Sequence, residues 1–232
     1  MPDRGANRIH GIDLLSDLKG KELDNLEKSC RWKRYAAHEQ IIDRQSELRD
    51  VYFVVEGRVR VVNYSMSGRE ITLDDVSEGG YFGELAALDS QPRSASVMAL
   101  TETLVISLPP DIFLETLAKH PPLALDVMVR LAQVVRTSTD RIMDLSTLAA
   151  NNRVHADLLR EARANMDGKH KARISPVPLH NDIASRVSTT RETVSRVMSD
   201  LTRQGIVQRT KNVLVVPDVD RLQEMVEEVR GE

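Results

Sequence analysis

The residues best suited to chemistry lie in one stretch, Phe82-Gly-Glu-Leu-Ala-Ala-Leu-Asp-Ser-Gln-Pro-Arg-Ser-Ala-Ser96. Glu84 directly follows a turn glycine, Gly83, and Arg93 and Ser94 come one short segment later. An arginine guanidinium binds a phosphate through two parallel hydrogen bonds, and a carboxylate accepts hydrogen bonds from sugar hydroxyls. Backbone N–H groups around a glycine turn form a small anion-binding nest. Together these groups suit a ligand in which a single phosphate is joined to a ribose.

A second stretch, from Pro178 to Leu201, has the pattern of a helix–turn–helix. Apolar residues recur at helical spacing on one face of each predicted helix, so that face is expected to be buried. Arginine pairs with guanine and glutamate accepts from cytosine in the major groove of DNA, where the start of such a second helix lies. Thr189 or Thr190 is predicted to cap the second helix. The residues predicted to face DNA are Thr190, Arg191, Glu192, Ser195 and Arg196.

Composition bounds the class of protein. The chain has 232 residues, enough for two modest domains, and a net charge of −3. The segment from Lys169 to Lys211 contains nine basic and three acidic residues, so its net charge is +6 and that of the rest of the chain is −9. A basic block in an acidic chain indicates a polyanion partner confined to one domain.

Other classes are disfavoured by what the sequence contains. The single cysteine, Cys30, rules out an internal disulfide framework and any all-cysteine metal site, and the six histidines show no tight metal-ligand spacing. No apolar run has the length of a signal peptide or of a membrane span, so we expect a soluble, cytoplasmic protein. No nucleophile–base pair or carboxylate pair indicates catalysis, and we expect neither an enzyme nor a metal protein.

Short β-branched runs predict that the first half of the chain is an antiparallel roll, with the Phe82–Ser96 stretch as a loop between two strands. Glycine turns separate most of these runs, and the overall class is α+β. The predicted strands are Val51–Val55, Arg58–Val62, Glu70–Leu73, Ser94–Met98 and Leu104–Leu108.

A long helix is predicted from about Leu123 to Leu148. Its apolar seam repeats at alternating spacings of three and four, which is the heptad pattern of a coiled coil. Because the chain has one such helix, its partner is expected to be a second copy, in a parallel two-fold homodimer. The seam residues are Met128, Leu131, Val135, Ser138, Ile142, Leu145 and Ala149.

Three segments follow from these patterns: 1–122 as the roll domain, 123–150 as the dimerisation helix and hinge, and 151–232 as a DNA-binding domain. The hinge is expected near Ala149–Asn152, where polar residues interrupt the seam. After the helix–turn–helix, Gln204–Val216 reads as a β-hairpin turning at Lys211-Asn212, a wing that offers Arg209 and Lys211 to phosphates. A final acidic helix is predicted after Pro217.

Both motifs resemble those of a known family. Phe-Gly-Glu-Leu-Ala followed by Pro-Arg-Ser-Ala resembles the phosphate-binding cassette of cyclic-nucleotide-binding domains, and Thr190–Arg196 resembles the recognition helix of the cyclic AMP receptor/FNR family. The resemblance implies that Glu84 binds the ribose 2′-hydroxyl and Arg93 the phosphate oxygens. It assigns the rest of the nucleotide site to Ser94, to the backbone of Gly83, Leu85 and Ala86, and to Ser138 and Thr139, which would contact the base from both subunits.

The function that this resemblance implies is a nucleotide-dependent, homodimeric regulator that binds a palindromic TGTGA-type site in double-stranded DNA, with RNA polymerase as a further partner. Cyclic AMP is the favoured ligand, and cyclic GMP is an alternative because the Ser138 hydroxyl can both donate and accept. One departure from the family pattern is Ser188, at a turn position where relatives often carry glycine.

Alternatives remain open at this point. One is a related dimeric regulator that senses another effector, with a vestigial nucleotide pocket. A regulatory module of an enzyme or channel would need a catalytic or membrane segment, which the sequence lacks. An FNR-type oxygen sensor would need a cysteine cluster, and the intact Glu84/Arg93 pair argues against a haem-based carbon monoxide sensor.

Overall fold

The computed structural model describes residues 8–230 of the chain. The spatial contacts between residues divide the chain into two compact units. The first ends at Gln133 and the second begins at Val134. Each unit has its own apolar core. The finer limits drawn from the sequence, with a hinge near Ala149–Asn152, stay a prediction.

The first unit is an antiparallel roll, as the strand pattern predicts. Its strands are β1 (Arg31–Tyr35), β2 (Gln40–Ile42), β3 (Val51–Glu56), β4 (Arg58–Tyr64), β5 (Glu70–Ser77), β6 (Tyr81–Phe82), β7 (Ser96–Ala99) and β8 (Thr103–Leu108). They form two four-stranded sheets, with the strand orders β1-β8-β3-β6 and β2-β7-β4-β5.

The sheet containing β3 and β8 is covered on both faces, which explains why these strands read as nearly continuous apolar runs. On the face towards the other sheet, Tyr52 and Val105 join a core that also contains Val97 of β7. On the opposite face, Phe53 and Ile106 belong to a core shared with the helices. Apolar packing on both faces therefore holds this sheet in place.

The helices of this part are α1 (Lys21–Ser29), α2 (Glu84–Asp89), α3 (Pro110–Lys119) and α4 (Pro121–Thr147), the last of which continues into the second unit. Helix α4 begins two residues earlier than expected. Proline is tolerated in the first turn because a backbone N–H at that position would have no acceptor within the helix. Before Gly20 lie two 3₁₀ turns, Arg8–Gly11 and Asp13–Leu15.

Three strands of the roll escaped the sequence pattern, one of which is the two-residue β6 (Tyr81–Phe82). Strand β1 has the sequence Arg-Trp-Lys-Arg-Tyr, of which only Tyr35 is buried, and it pairs with β8 along one sheet edge. Strand β2 has three residues and pairs with β7. Strands β1 and β2 do not alternate apolar and polar residues as a half-buried strand does. Pairing with a strand that is distant in sequence, and not a local pattern, holds each of them in its sheet.

The second unit is a winged helix–turn–helix, as predicted. Its core joins buried residues of α5 with those of the helix–turn–helix and of a small sheet. The elements beyond α4 are α5 (Ala150–Ala164), β9 (Ala172–Ile174), α6 (His180–Arg186), α7 (Arg191–Arg203), β10 (Gln208–Thr210), β11 (Val213–Val216) and α8 (Val219–Arg230). The sheet order is β10-β11-β9, and β9 was not expected from the sequence. None of the helices within residues 8–230 has the length and apolarity needed to cross a membrane.

Candidate nucleotide-binding and DNA-binding sites

The Phe82–Ser96 stretch, hereafter the cassette, joins β6 to β7 and contains the short helix α2. Gly83 has a φ of +84°, a left-handed conformation that favours glycine, and α2 begins at the next residue. Ser90 ends α2, also with a positive φ of 58°. The predicted loop is therefore a turn, a short helix and a second turn, which together bring Arg93 back against Gly83.

Arg93 is the buried centre of the cassette, with 5% of its surface exposed. Its Nη1 donates to the carbonyl oxygen of Gly83 at 2.8 Å, and its Nη2 donates to that of Asp50 at 2.8 Å. The guanidinium carbon lies 5.8 Å from the centre of the Tyr52 ring. The Nε is buried and has no hydrogen-bond partner among residues 8–230. A buried N–H of this kind is costly unless a ligand completes it.

Glu84 is also buried, with 8% exposed, at the start of α2. Burial raises the pKa of its carboxyl, while the hydrogen bond from its own backbone N–H and the charges of Arg130 and Arg93 oppose that shift. The cassette thus holds a carboxylate and a guanidinium as neighbours, both removed from bulk water. An ionised carboxylate accepts hydrogen bonds only, which suits it to a hydroxyl donor on a ligand.

The other predicted cassette residues have different surroundings. Leu85 and Ser94 are exposed and Ala86 is buried. The carbonyl oxygen of Ser94 accepts from Asn63 Nδ2 at 3.3 Å, and the Asn63 Oδ1 is buried without a partner in the described chain. Residues 8–230 contain no group of three or more His, Cys, Asp or Glu side chains arranged to hold a metal ion.

Ser138 and Thr139 lie on the part of α4 that belongs to the second unit. Both are exposed, and the Thr139 hydroxyl donates to the carbonyl oxygen of Val135 at 3.0 Å. Their assignment to the nucleotide base therefore stays a prediction.

The face of α7 that is predicted to contact DNA is exposed. Thr190 is the N-cap, and its hydroxyl accepts from the Thr193 N–H at 3.3 Å. Hydrogen bonds from its own backbone N–H and from the Thr190 hydroxyl hold the pKa of Glu192 below its usual value. One open groove is lined by Arg191, Glu192, Ser195, Arg196 and Ser199. Ser199, one turn beyond Ser195, was not predicted as a site residue, although helical spacing places it on the same face.

The wing is the predicted β-hairpin, and the turn before α7 contains a left-handed residue. Strands β10 and β11 form a hairpin, and Lys211 takes a positive φ of 48° at its tip. Arg209 and Lys211 are both exposed. Ser188 has a φ of 53°, so the serine occupies the left-handed position that glycine often fills in this kind of turn.

Arg153 of α5 fixes that turn. Its Nε donates to the carbonyl oxygen of Val187 at 2.8 Å, and its Nη2 donates to that of Ser188 at 3.2 Å. Its Nη1 donates to the carbonyl oxygen of Leu148, just beyond α4, at 2.8 Å. One guanidinium thus ties the turn of the helix–turn–helix to the end of the long helix, within the second unit.

Buried ion pairs strengthen the same connection. Asp157 of α5, with 3% exposed, accepts from Arg186 of α6 at 2.8 Å. Asp144 of α4, with 3% exposed, accepts from Arg160 of α5 at 2.6 Å. These bidentate and charge-assisted bonds hold α4, α5 and α6 in one arrangement.

Comparison with known proteins identifies both regions. Residues 32–120 match the profile of the cyclic nucleotide-binding domain, and residues 152–225 match that of the Crp-like helix-turn-helix domain. The chain is 30% identical over 218 residues to the cyclic AMP receptor protein of Thermus thermophilus, covering 94% of this chain and 98% of that one. The chain belongs to the cyclic AMP receptor protein family.

Solved structures agree with this assignment. A CRP-family transcriptional regulator from Thermus thermophilus aligns with a TM-score of 0.62 and 30% identity, covering 86% of this chain and 97% of that one. A CooA mutant from Carboxydothermus hydrogenoformans shares the fold, with a TM-score of 0.80 and 23% identity over 95% and 100% of the two chains. The protein is thus a cyclic-nucleotide-binding transcription regulator of the CRP family.

The geometry adds residues that sequence reasoning missed. Asp50 holds Arg93 through its backbone carbonyl, so its side-chain type carried no signal. Tyr52 approaches Arg93 from β3, where its ring stacks on that of Phe82, and its place in an apolar run gave no sign of this contact. Arg153 is one of several charged residues of α5, so its type and spacing gave no sign of its contacts.

Replacing Gly83 by alanine should displace Arg93. A Cβ at this position would lie 2.6 Å from Arg93 Nη1 and 3.1 Å from the Asp50 carbonyl oxygen, and the φ is left-handed. We expect Gly83→Ala to lower the free energy of unfolding by about 1–3 kcal/mol and to weaken cyclic AMP binding by about tenfold or more. Urea unfolding and isothermal titration calorimetry measure the two effects.

Gly68→Ala is the matched control, since Gly68 also has a positive φ, of 76°, but nothing lies within 4 Å of its Cβ position. It should show the backbone strain without the loss of binding. Equal nucleotide affinity in the two variants would contradict the placement of Arg93.

Replacing Arg153 by methionine should loosen the turn that precedes α7. Its three hydrogen bonds to carbonyl oxygens are lost, and we expect the free energy of unfolding to fall by about 2 kcal/mol or more. Affinity for specific DNA should fall as well. Arg163→Met, at an exposed arginine on the same helix, is the control. Urea unfolding measures the effect, and identical midpoints for both variants would show that Arg153 does not hold the turn.

Proposed function

We propose that this chain is a homodimeric transcription regulator whose DNA binding is switched on by a cyclic nucleotide, with cyclic AMP as the favoured ligand. The observation that carries the proposal is the buried Arg93, held by the carbonyl oxygens of Gly83 and Asp50 beside the buried Glu84. Burying a guanidinium and a carboxylate together costs free energy, and in a vestigial pocket no bound ligand would offset that cost.

The nucleotide would bind by its phosphate and its ribose. Arg93 presents a guanidinium whose geometry matches two phosphate oxygens, and the exposed Ser94 follows it directly in the chain. Glu84 would accept from the ribose 2′-hydroxyl, and the backbone N–H groups of Gly83, Leu85 and Ala86 would complete the cradle. The name of the Thermus thermophilus relative supports cyclic AMP as the ligand.

The proposed dimer uses the seam of α4. Several of its large apolar residues are about half or more exposed: Met128 at 57%, Val135 at 64%, Ile142 at 62% and Leu145 at 50%. An apolar stripe of this length is unfavourable in water, and a second copy of the same helix would cover it in a coiled coil. Leu131 is partly buried against the core of the first unit, so it contributes less to the seam.

Ser138 would place a hydroxyl in this seam, next to Thr139. A hydroxyl can accept from the adenine N6 amino group or donate to guanine O6, so cyclic GMP is a second candidate ligand. Because the two subunits would each supply one of these hydroxyls, base binding would depend on dimer geometry. The nucleotide would then act through its preference for the dimer that can bind DNA.

DNA would be read by the exposed face of α7. In a two-fold dimer the two copies would contact half-sites about 34 Å apart, which requires a palindrome. Arg191, Glu192 and Arg196 would read a TGTGA-type half-site, and Arg209 and Lys211 of the wing would contact phosphates. Such a protein acts where the genome and RNA polymerase are, and we propose RNA polymerase as a partner and the cytoplasm as its location.

Replacing Arg93 by leucine tests the nucleotide site. The variant loses the phosphate contact, so we expect cyclic AMP affinity to fall by about two orders of magnitude, as expected for a charged hydrogen-bonded pair. Calorimetric titration measures the affinity. Arg69→Leu, at an exposed arginine of the β4–β5 hairpin, should bind like the wild type. Unchanged affinity of Arg93→Leu would reject the assignment of the cassette.

Replacing Arg191 by alanine tests the recognition helix. We expect a loss of about 1–3 kcal/mol on a TGTGA palindrome and little loss when the contacted guanine is replaced. Electrophoretic mobility shift at fixed salt measures both, with Arg203→Ala as a control at an exposed arginine near the end of α7. An equal loss on scrambled DNA would mean that Arg191 contacts phosphate and does not read a base.

A further inference from the structure

A half-buried histidine, His180, lies in the second unit beside the wing. It is the first residue of α6. Three residues earlier, the backbone N–H of Val177 donates to the carbonyl oxygen of Asn212 at 3.1 Å, so the segment that leads into α6 lies against the tip of the wing. Leu179, directly before His180, is 68% exposed. This corner of the second unit is therefore open to solvent and lies next to the β10–β11 hairpin.

Two arginines from other elements act on His180. They are Arg191, the first residue of α7, and Arg209 of β10. Burial lowers the pKa of the His180 imidazole below its usual value, and the positive charges of these two arginines lower it further. The other charged side chains of α6, of the first turn of α7 and of the wing are Asp182, Arg186, Glu192 and Lys211.

Both arginines are residues that we propose to contact DNA, one at a base and one at a phosphate. His180 therefore lies in the same positive region of the surface. In the free chain, a protonated His180 is repelled by the two guanidinium groups. A DNA phosphate at this place would attract the imidazolium, and a phosphate oxygen would accept a hydrogen bond from its ring N–H. Bound DNA thus favours the protonated form of a residue that the free chain keeps neutral at neutral pH.

We propose that His180 is a further DNA-contacting residue, which binds a backbone phosphate as an imidazolium, so that DNA binding takes up one proton from solvent at each copy of this residue. The inference rests on the proposed function, in which Arg191 and Arg209 contact DNA. It adds a third element, α6, to the DNA-binding surface formed by α7 and the wing.

The direction of the pH dependence follows from the protonation of His180 in the free and bound states. Below the pKa of His180 in the free chain, the imidazole is protonated before and after binding, and the affinity for DNA is highest. Above its pKa in the complex, the imidazole is neutral in both states and the phosphate contact is weaker. Between these two pKa values, the affinity for DNA falls as the pH rises.

The test is the affinity of the full chain for a fluorescently labelled TGTGA palindrome, measured by anisotropy with saturating cyclic AMP at about pH 5.5 and about pH 8. The wild type should bind about fivefold more tightly at the lower pH, because each subunit gains a charged contact. His180→Gln cannot be protonated and should lose most of this difference. His180→Lys stays charged and should bind tightly at both pH values.

His170→Gln is the matched control, because His170 is an exposed histidine of the same unit that contacts Asp220 of α8. It should keep the pH dependence of the wild type. Thermal unfolding of each variant at both pH values establishes that it is folded.

The dependence on salt separates a phosphate contact from an indirect structural effect. Each neutralised phosphate steepens the plot of log affinity against log salt by about 0.9, so two copies of His180 should steepen it by about 1.8 at the lower pH. His180→Gln should show no such change. Its loss of affinity at the lower pH should be the same on a scrambled duplex, since phosphates are present in every sequence.

Equal pH dependence in the wild type and in His180→Gln would overturn the proposal, as would equal salt dependence at the lower pH or a loss confined to the palindrome. If the wild type binds DNA at neither pH, the proposed function fails and this inference fails with it. If the wild type binds and His180→Gln behaves identically, only this inference fails.

Discussion

The proposed nucleotide site depends on one buried guanidinium. Arg93 can point into the roll because two backbone carbonyls, those of Gly83 and Asp50, accept its N–H groups there. Gly83 must take a left-handed conformation to turn its carbonyl towards Arg93, and Asp50 is placed by strand β3, which both cores of the first unit fix. The roll is thus the scaffold that pre-organises a cation, so that little reorganisation is left for binding.

The second unit is held together by a different set of contacts. Its core joins α5 with the helix–turn–helix, and buried ion pairs and the Arg153 hydrogen bonds connect the last turns of α4 to the turn before α7. These contacts place the end of α4 and the turn before the proposed recognition helix in one connected set of hydrogen bonds. Under the proposed function, helix α4, which has residues in both units, is the element through which a nucleotide would act on DNA binding.

The sequence predicted what local pattern determines. Strands β3 and β8 are apolar on both faces, α4 carries a heptad repeat, and Thr190 caps a helix with one charged face, so the α+β class, the roll and the winged helix–turn–helix followed. Contacts between distant segments could not be predicted. Strand β1 reads as a charged segment, Asp50 acts through its backbone, and Arg153 donates to a turn that is distant along the chain. Their roles depend on the folded neighbours that surround them, not on their types or spacing.

The most direct test of the proposed switch is the affinity for a fluorescently labelled palindrome of two TGTGA half-sites, measured by anisotropy at one fixed salt concentration. The protein is titrated without nucleotide, with cyclic AMP and with cyclic GMP, and against a scrambled duplex. We expect cyclic AMP to tighten binding to the palindrome by about tenfold or more, with a smaller effect of cyclic GMP and little change on the scrambled duplex. Palindrome binding that neither nucleotide changes would contradict the switch, because the cassette would then have no influence on DNA recognition.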